Sequence, residues 1–109
     1  MTTLKAPSRF KNEARRLWIS LVTEHGLEGH TELLILDTAV ECFERMREAQ
    51  KLIREQGVSV PHGESVKQNP ACLVEKDSRK GMLDALKALD LTLDDAELPV
   101  QMGRPPRSR

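Results

Sequence analysis

Apolar positions recur with helical spacing through three stretches of the chain and with strand spacing only once, between the second and third of them. From Ser8 to His25 the apolar residues are Phe10, Ala14, Leu17, Trp18, Leu21 and Val22. These fall at i, i+4, i+7 and i+8, which places one stripe on a helix. Ser8, directly after Pro7, is the expected N-cap, and Gly26 the stop. Val22 and Leu27 straddle that Gly with the spacing of the hydrophobic contact in a Schellman ending.

A second helix is expected from Thr31 to Gln56, with Glu32 close to its positive N-terminal end and Gly57 ending it. Val58 and Ile53 would repeat the ending of the first helix. At about 1.5 Å per residue this rod is roughly 37 Å long, long for so small a domain. Its apolar arc is wide. Leu36, Ala39, Val40, Phe43, Met46 and Ile53 form one stripe, Ile35, Cys42 and Ala49 extend it, and Leu34 and Leu52 lie outside it altogether. A helix burying one face needs an arc of roughly 100°, and this one spans nearer twice that. Two packings would satisfy it: neighbours within the chain on both sides, or a second copy covering part of the stripe. For the second, the interface candidates are Leu36, Val40, Phe43, Met46, Leu52 and Ile53.

The strand-like stretch is GVSVPHGESVKQNP, residues 57–70. Val58 and Val60 alternate with Ser59, a Pro61-His62-Gly63-Glu64 turn follows, and Val66 returns between Ser65 and Lys67. This predicts a short β-hairpin over 58–67. Two strands are too few to stand alone, so the hairpin must lean on the helices or on a neighbour. Asn69 then caps a third helix with Pro70 at its first position, where a missing N–H costs nothing. That helix runs to about Asp90. Gly81 inside it either admits a close neighbour or marks a kink. A short turn capped by Thr92 is expected over 91–98. The expected architecture is mainly α: a three-helix domain with a long central helix and a β-hairpin between helices 2 and 3. A flexible basic lead-in (1–7) precedes the domain (8–98), and a disordered Arg- and Pro-rich tail (99–109) follows it.

Composition narrows the chemistry. At 109 residues, one domain is the expectation, and with 3% aromatic residues its supply of large core side chains is thin. The formal charge is zero, yet the charges are unevenly placed. Lys5, Arg9, Lys11, Arg15 and Arg16 stand against Glu13 in the first sixteen residues, the middle is acidic, and Arg104, Arg107 and Arg109 make the tail basic. Cys42 and Cys72 are isolated and read as small apolar residues in a reducing compartment. No signal-peptide run and no membrane-length apolar stretch is evident, so the expected location is cytoplasmic, with no membrane partner.

Enzyme signatures are absent. There is no Gly-rich phosphate loop, no Gly-x-Ser-x-Gly and no His-Glu-x-x-His. His25, His30 and His62 have no ligand spacing to either cysteine, so no metal and no cofactor is expected. Asp94 and Asp95 read as dipole partners or solvated surface. No catalytic residue is named, and no catalysis is expected. Nucleic-acid binding has more support. Arg9, Asn12, Arg16, Ser20 and Thr23 fall on the helix side away from Trp18, with Lys11 and Arg15 near its border. Such a face offers phosphate contacts and amide or hydroxyl donors; an ordinary solvated helix face would look the same. The DNA-contact candidates are Lys5, Arg9, Lys11, Asn12, Arg15, Arg16, Arg104, Arg107 and Arg109. Lys67 is a weaker one, since a strand-edge charge also discourages aggregation.

The order of parts resembles the small terminase subunits of tailed phages over roughly residues 5–95. The resemblance rests on SRFKNEARRLWISLV with its Glu13-Ala14-x-x-Leu17-Trp18 element, on Thr31-Glu32-Leu33, and on the Arg47-Glu48-Ala49 stretch. It continues in the hairpin leading into Asn69-Pro70 and in Leu89-Asp90-Leu91-Thr92. It implies a non-enzymatic protein of the host-cell cytoplasm that forms ring-like homo-oligomers. It implies recognition of double-stranded phage DNA where packaging starts, and recruitment and regulation of the large ATPase-nuclease subunit. The other readings are a helical protein–protein adaptor and a small DNA-binding regulator.

Overall fold

The computed structural model describes residues 5–91, and its elements follow in the order α1 (Asn12–His25), α2 (His30–Gln56), β1 (Ser59–His62), β2 (Ser65–Gln68) and α3 (Pro70–Ala88). The protein is mainly helical, with an antiparallel two-stranded hairpin between helices 2 and 3. The turn expected after residue 91, the tail with Arg104, Arg107 and Arg109, and the first four residues of the lead-in lie outside the described residues.

α1 begins four residues later than Ser8 would have it. Ser8 and Arg9 lie in a turn closed by Phe10 N–H donating to the Pro7 carbonyl at 3.1 Å. That turn drops Phe10 into the core, where it is 1% exposed beside Leu36 and Val40. A helix begun at Ser8 would have carried Phe10 around its own axis instead. The N-cap is Lys11, which offers no side-chain acceptor. Its backbone N–H donates to Glu44 Oε2 on α2 at 3.0 Å. Asn12 follows at φ 33°, a region in which Asn is among the more tolerant residues. The C-terminus ends as the spacing predicts: Gly26 is left-handed at φ 62°, and Leu27, buried, donates its N–H to the Val22 carbonyl at 3.3 Å.

α2 starts at His30, one residue before Thr31, because Glu32 reaches back to the backbone N–H of Gly29 at 3.2 Å and makes Gly29 the cap. At 27 residues it is roughly 40 Å long. Its end does not repeat that of α1. Gly57 lies at φ 89°, ψ 167°, so the chain leaves in an extended direction and Val58 stays 63% exposed instead of folding back on Ile53.

The hairpin is tighter than the four-residue turn expected. His62 pairs with Ser65, leaving Gly63-Glu64 as a two-residue loop with Gly63 at φ 63°. Pro61 therefore lies inside β1, paired with Val66, while Val60 pairs with Lys67. Cross-strand partners share a face, so Val60 and Val66 lie on opposite faces. Asn69 N–H donates to the Val58 carbonyl at 2.7 Å; counting from that bond, Pro61 falls where its nitrogen points to the outer edge. Its missing N–H removes no ladder bond and blunts that edge.

Asn69 is 2% exposed and joins three elements. Its Oδ1 accepts from Ala71 N–H at 3.0 Å and caps α3, and its Nδ2 donates to the Gly57 carbonyl at 2.8 Å. α3 then packs antiparallel to α2. The interface is built from small residues: Ala39, Cys42 and Ala49 on α2, and Ala71, Ser78, Gly81 and Ala85 on α3. A Cβ placed on Gly81 would lie 2.9 Å from Cys42 Sγ, so this glycine serves close helix approach inside one continuous helix. α3 ends at Ala88, short of Asp90. Asp90 takes φ 64° and lets Leu91, buried, donate its N–H to the Leu86 carbonyl at 2.9 Å.

The main core gathers Phe10, Ala14, Trp18 and Leu21 from the first segment with Leu36 and Val40 from α2 and Leu91 from beyond α3. All of it lies on the N-terminal half of α2. The C-terminal half projects with the hairpin and the start of α3 as a two-helix arm.

Candidate nucleic-acid interface

α1 lies against α2 through three polar contacts that fix its rotation. Trp18 Nε1 donates to Asp37 Oδ1 at 2.8 Å, so a buried indole has its partner. Arg47 holds Glu13 with two bonds of 3.2 Å, and its guanidinium lies 5.0 Å above the Phe43 ring. Glu44 caps Lys11. These contacts use the carboxylate within the basic segment, Glu13, and bring Glu44 to a backbone amide.

The cations of the segment are left facing outward. Lys5, Arg9, Lys11 and Arg16 are exposed. Arg9 stacks on Phe10, 4.6 Å from its centroid, an arrangement that holds the guanidinium plane while its in-plane N–H donors stay free. Arg15 differs: it is half-buried and donates to the Phe10 carbonyl at 3.2 Å, so part of its fork is taken up in bracing the turn. Among the described residues, no carboxylate lies within ion-pair distance of these five side chains. Asn12, Ser20 and Thr23 are exposed on the same helix. Four of the five cations stand at or before the first turn of α1, where the helix dipole is positive and a cation costs about 0.3–1 kcal/mol. Arg104, Arg107 and Arg109 lie outside the described residues.

The interface candidates on α2 divide. Leu36 and Val40 are fully buried and Met46 nearly so, all covered by the chain itself. They are not open to a second copy, because α1 and α3 close the arc from both sides. Phe43 and Ile53 are half-buried, and Leu52 is 42% exposed. Besides Leu52, the open apolar residues are Ile19, Leu34, Val58, Val66, Leu73, Val74 and Leu83. The wide arc signalled Leu34 in the sequence. Ile19, off the α1 stripe, and Val66, which the register turns outward, carried no separate signal.

Among the described residues, no group of three or more His, Cys, Asp or Glu converges as a metal site would require. Both cysteines are free, and burial pushes the Cys42 thiol upward, with Arg45 opposing. No helix among the described residues is long and apolar enough to cross a membrane. Comparison with protein-family models, with curated proteins and with solved structures finds no match to this chain.

Proposed function

We propose that this chain is a DNA-recognising assembly protein of the small terminase type. It would bind double-stranded phage DNA at the start of packaging, assemble into a ring, and recruit and regulate the large ATPase-nuclease subunit in the host cytoplasm, with no catalysis or cofactor of its own. The observation that carries the DNA half is that Lys5, Arg9 and Lys11 before α1 and Arg16 in its second turn are all exposed, without carboxylate partners among the described residues. Cations at that end lower helix stability, and a phosphate backbone passing there supplies the missing counter-charge. The resemblance in the order of segments supports the packaging role. Arg104, Arg107 and Arg109 supply further positive charge toward DNA or an acidic partner.

The test is DNA retention by the full chain across a salt series. Arg9→Ala with Arg16→Ala should weaken binding and make the slope of log affinity against log salt shallower by about two contacts' worth. Helicity and particle mass should be unchanged, because both side chains are exposed. An unaltered affinity and slope would move the DNA surface elsewhere.

A further inference from the structure

Arg45, Arg47 and Arg54 share α2 but not one side of it. At 3.6 residues per turn, Arg54 stands about 20° from Arg47 around the helix axis and about 180° from Arg45. Arg45 is in an ion pair with Glu41 at 3.3 Å. Arg47 marks the side that faces α1, because its guanidinium holds Glu13. Trp18 meets Asp37 and Glu13 meets Arg47, so α1 runs antiparallel to α2 and starts against its middle. The exposed Lys11 stands there too, its backbone N–H donated to Glu44 about one turn before Arg47.

Beyond Arg47 the same side of α2 carries Lys51 and Arg54, one and two turns on and both exposed. Among the described residues neither is in an ion pair. Glu13 is already held by Arg47, and Glu75 on α3 by Arg79. Glu48 and Glu55 point about 100° and 80° away from Arg47 around the axis. Glu55, one turn beyond Lys51, does not pair with it. From Glu44 to Arg54 is roughly 15 Å along the helix, about four base-pair steps of a duplex. The positive surface that begins at Arg9 and Lys11 thus runs on along the arm.

We propose that a DNA duplex held at the start of α1 continues along this side of the arm, with Lys51 and Arg54 contacting its phosphate backbone. The inference rests on the DNA half of the function proposed above and extends it from α1 to α2. Phosphate contacts fix where a duplex lies without reading its sequence, so the arm sets the direction that the DNA takes from α1. Arg54 also stands in the last turn of α2, where the helix dipole favours a cation. That role acts on the helix and not on DNA, so the two are separable by measurement.

The experiment follows retention of a mixed-sequence duplex by the full chain across a salt series. It compares wild type with Arg54→Ala, with Lys51→Ala plus Arg54→Ala, and with Arg45→Ala. The slope of log affinity against log salt should become shallower by about 0.9 for Arg54→Ala and by about twice that for the double variant. Arg45→Ala removes the same charge from the opposite side and should keep the wild-type slope. Helicity should be unchanged, since all three side chains are exposed. Should an alanine variant lose helicity, Lys51→Gln with Arg54→Gln carries the same comparison. A wild-type slope in the double variant overturns the proposal, and so does an equal shift in Arg45→Ala. So does a loss of thermal stability in Arg54→Ala with DNA retention untouched. If Arg9→Ala with Arg16→Ala loses contacts and the arm variants lose none, the function proposed above stands and this extension falls. If the arm variants alone lose contacts, the duplex lies on the arm and the α1 surface falls. A duplex that wild type does not retain even at low salt sinks both.

Discussion

The two halves of α2 are held by different physics. Its N-terminal half is covered by large side chains: Phe10, Trp18 and Leu21 close over Leu36 and Val40, and Leu91 seals the far side. Its C-terminal half meets α3 through Ala49, Ala71 and Ser78, with Gly81 marking the middle of the contact, and no third layer lies on it among the described residues. Small residues let backbones approach closely, yet they remove little apolar area from water. Larger residues on the arm then have nothing to pack under, which is why Val58, Val66 and Leu73 remain each more than half exposed. A chain with so few aromatics concentrates them where they complete one core, and the arm is left with geometry and hydrogen bonds.

The largest expected contrast is between the two halves themselves. Trp18→Ala should cost about 3–5 kcal/mol in denaturant unfolding, through a cavity and through Asp37 losing its donor. Val66→Ala should stay within about 0.5 kcal/mol. Equal losses would mean that the arm carries stability not visible in its burial.

Asn69 is the exception that sharpens the comparison, a single buried side chain on which the arm depends. Asn69→Ala should cost about 2–3 kcal/mol, by uncapping α3 and leaving the Gly57 carbonyl without its donor. Amide exchange should quicken in the hairpin and the first turn of α3 more than in α1. Uniform quickening would contradict a separately held arm.

A smaller effect tests the close helix contact. Gly81→Ala gains helix propensity of about 1 kcal/mol but forces its Cβ against Cys42 Sγ. The net should be a loss of about 1 kcal/mol. With Cys42→Ala the same change should become neutral or stabilising, since the Cys42 Cβ is 4.0 Å away and only the sulfur obstructs. Additive effects would place the constraint elsewhere.

The smallest concerns pH. The Arg79 side chain bonded to Glu75 holds that carboxyl below its ordinary value. The pair's contribution is therefore present above the ordinary carboxylate range and fades as pH falls through the lowered value. The Arg79 side chain is exposed while Glu75 is mostly covered; a pair with one solvated partner is worth little, so Glu75→Gln should only slightly flatten the acid limb of the stability profile.

Much of the fold was legible because its signals are local. Gly26 with Leu27, Asn69 with Pro70, and the period change between Gly57 and Gln68 each act within a few residues, and each element appears in the expected order. The failures share one cause. Ser8 is a good cap by chemistry, but Phe10 two residues on belongs in a core that α2 builds, and the chain turns to deliver it. Val58 has the spacing of a helix-ending contact, but Gly57 adopts an extended ψ to start the strand. The uneven charge was legible, but the single helix side expected for it was not, since Arg9 lies in the turn before α1 and Lys11 at its cap. That Arg15 is partly spent on the Phe10 carbonyl, and that Glu13 is drawn to Arg47, depends on where α1 lands.

By itself, the sequence determined which elements form and the unequal spread of charge along them, because periodicity, caps and turns are settled between neighbours in the chain. The tertiary structure alone decided which part of the wide α2 arc is covered. Burial depends on which elements share a face, and no spacing within one helix records what comes to lie against it. Leu36 and Leu52 differ little as residues. Leu36 lies in the cluster with Phe10 and is fully buried, and Leu52, which points away from that stripe, is 42% exposed.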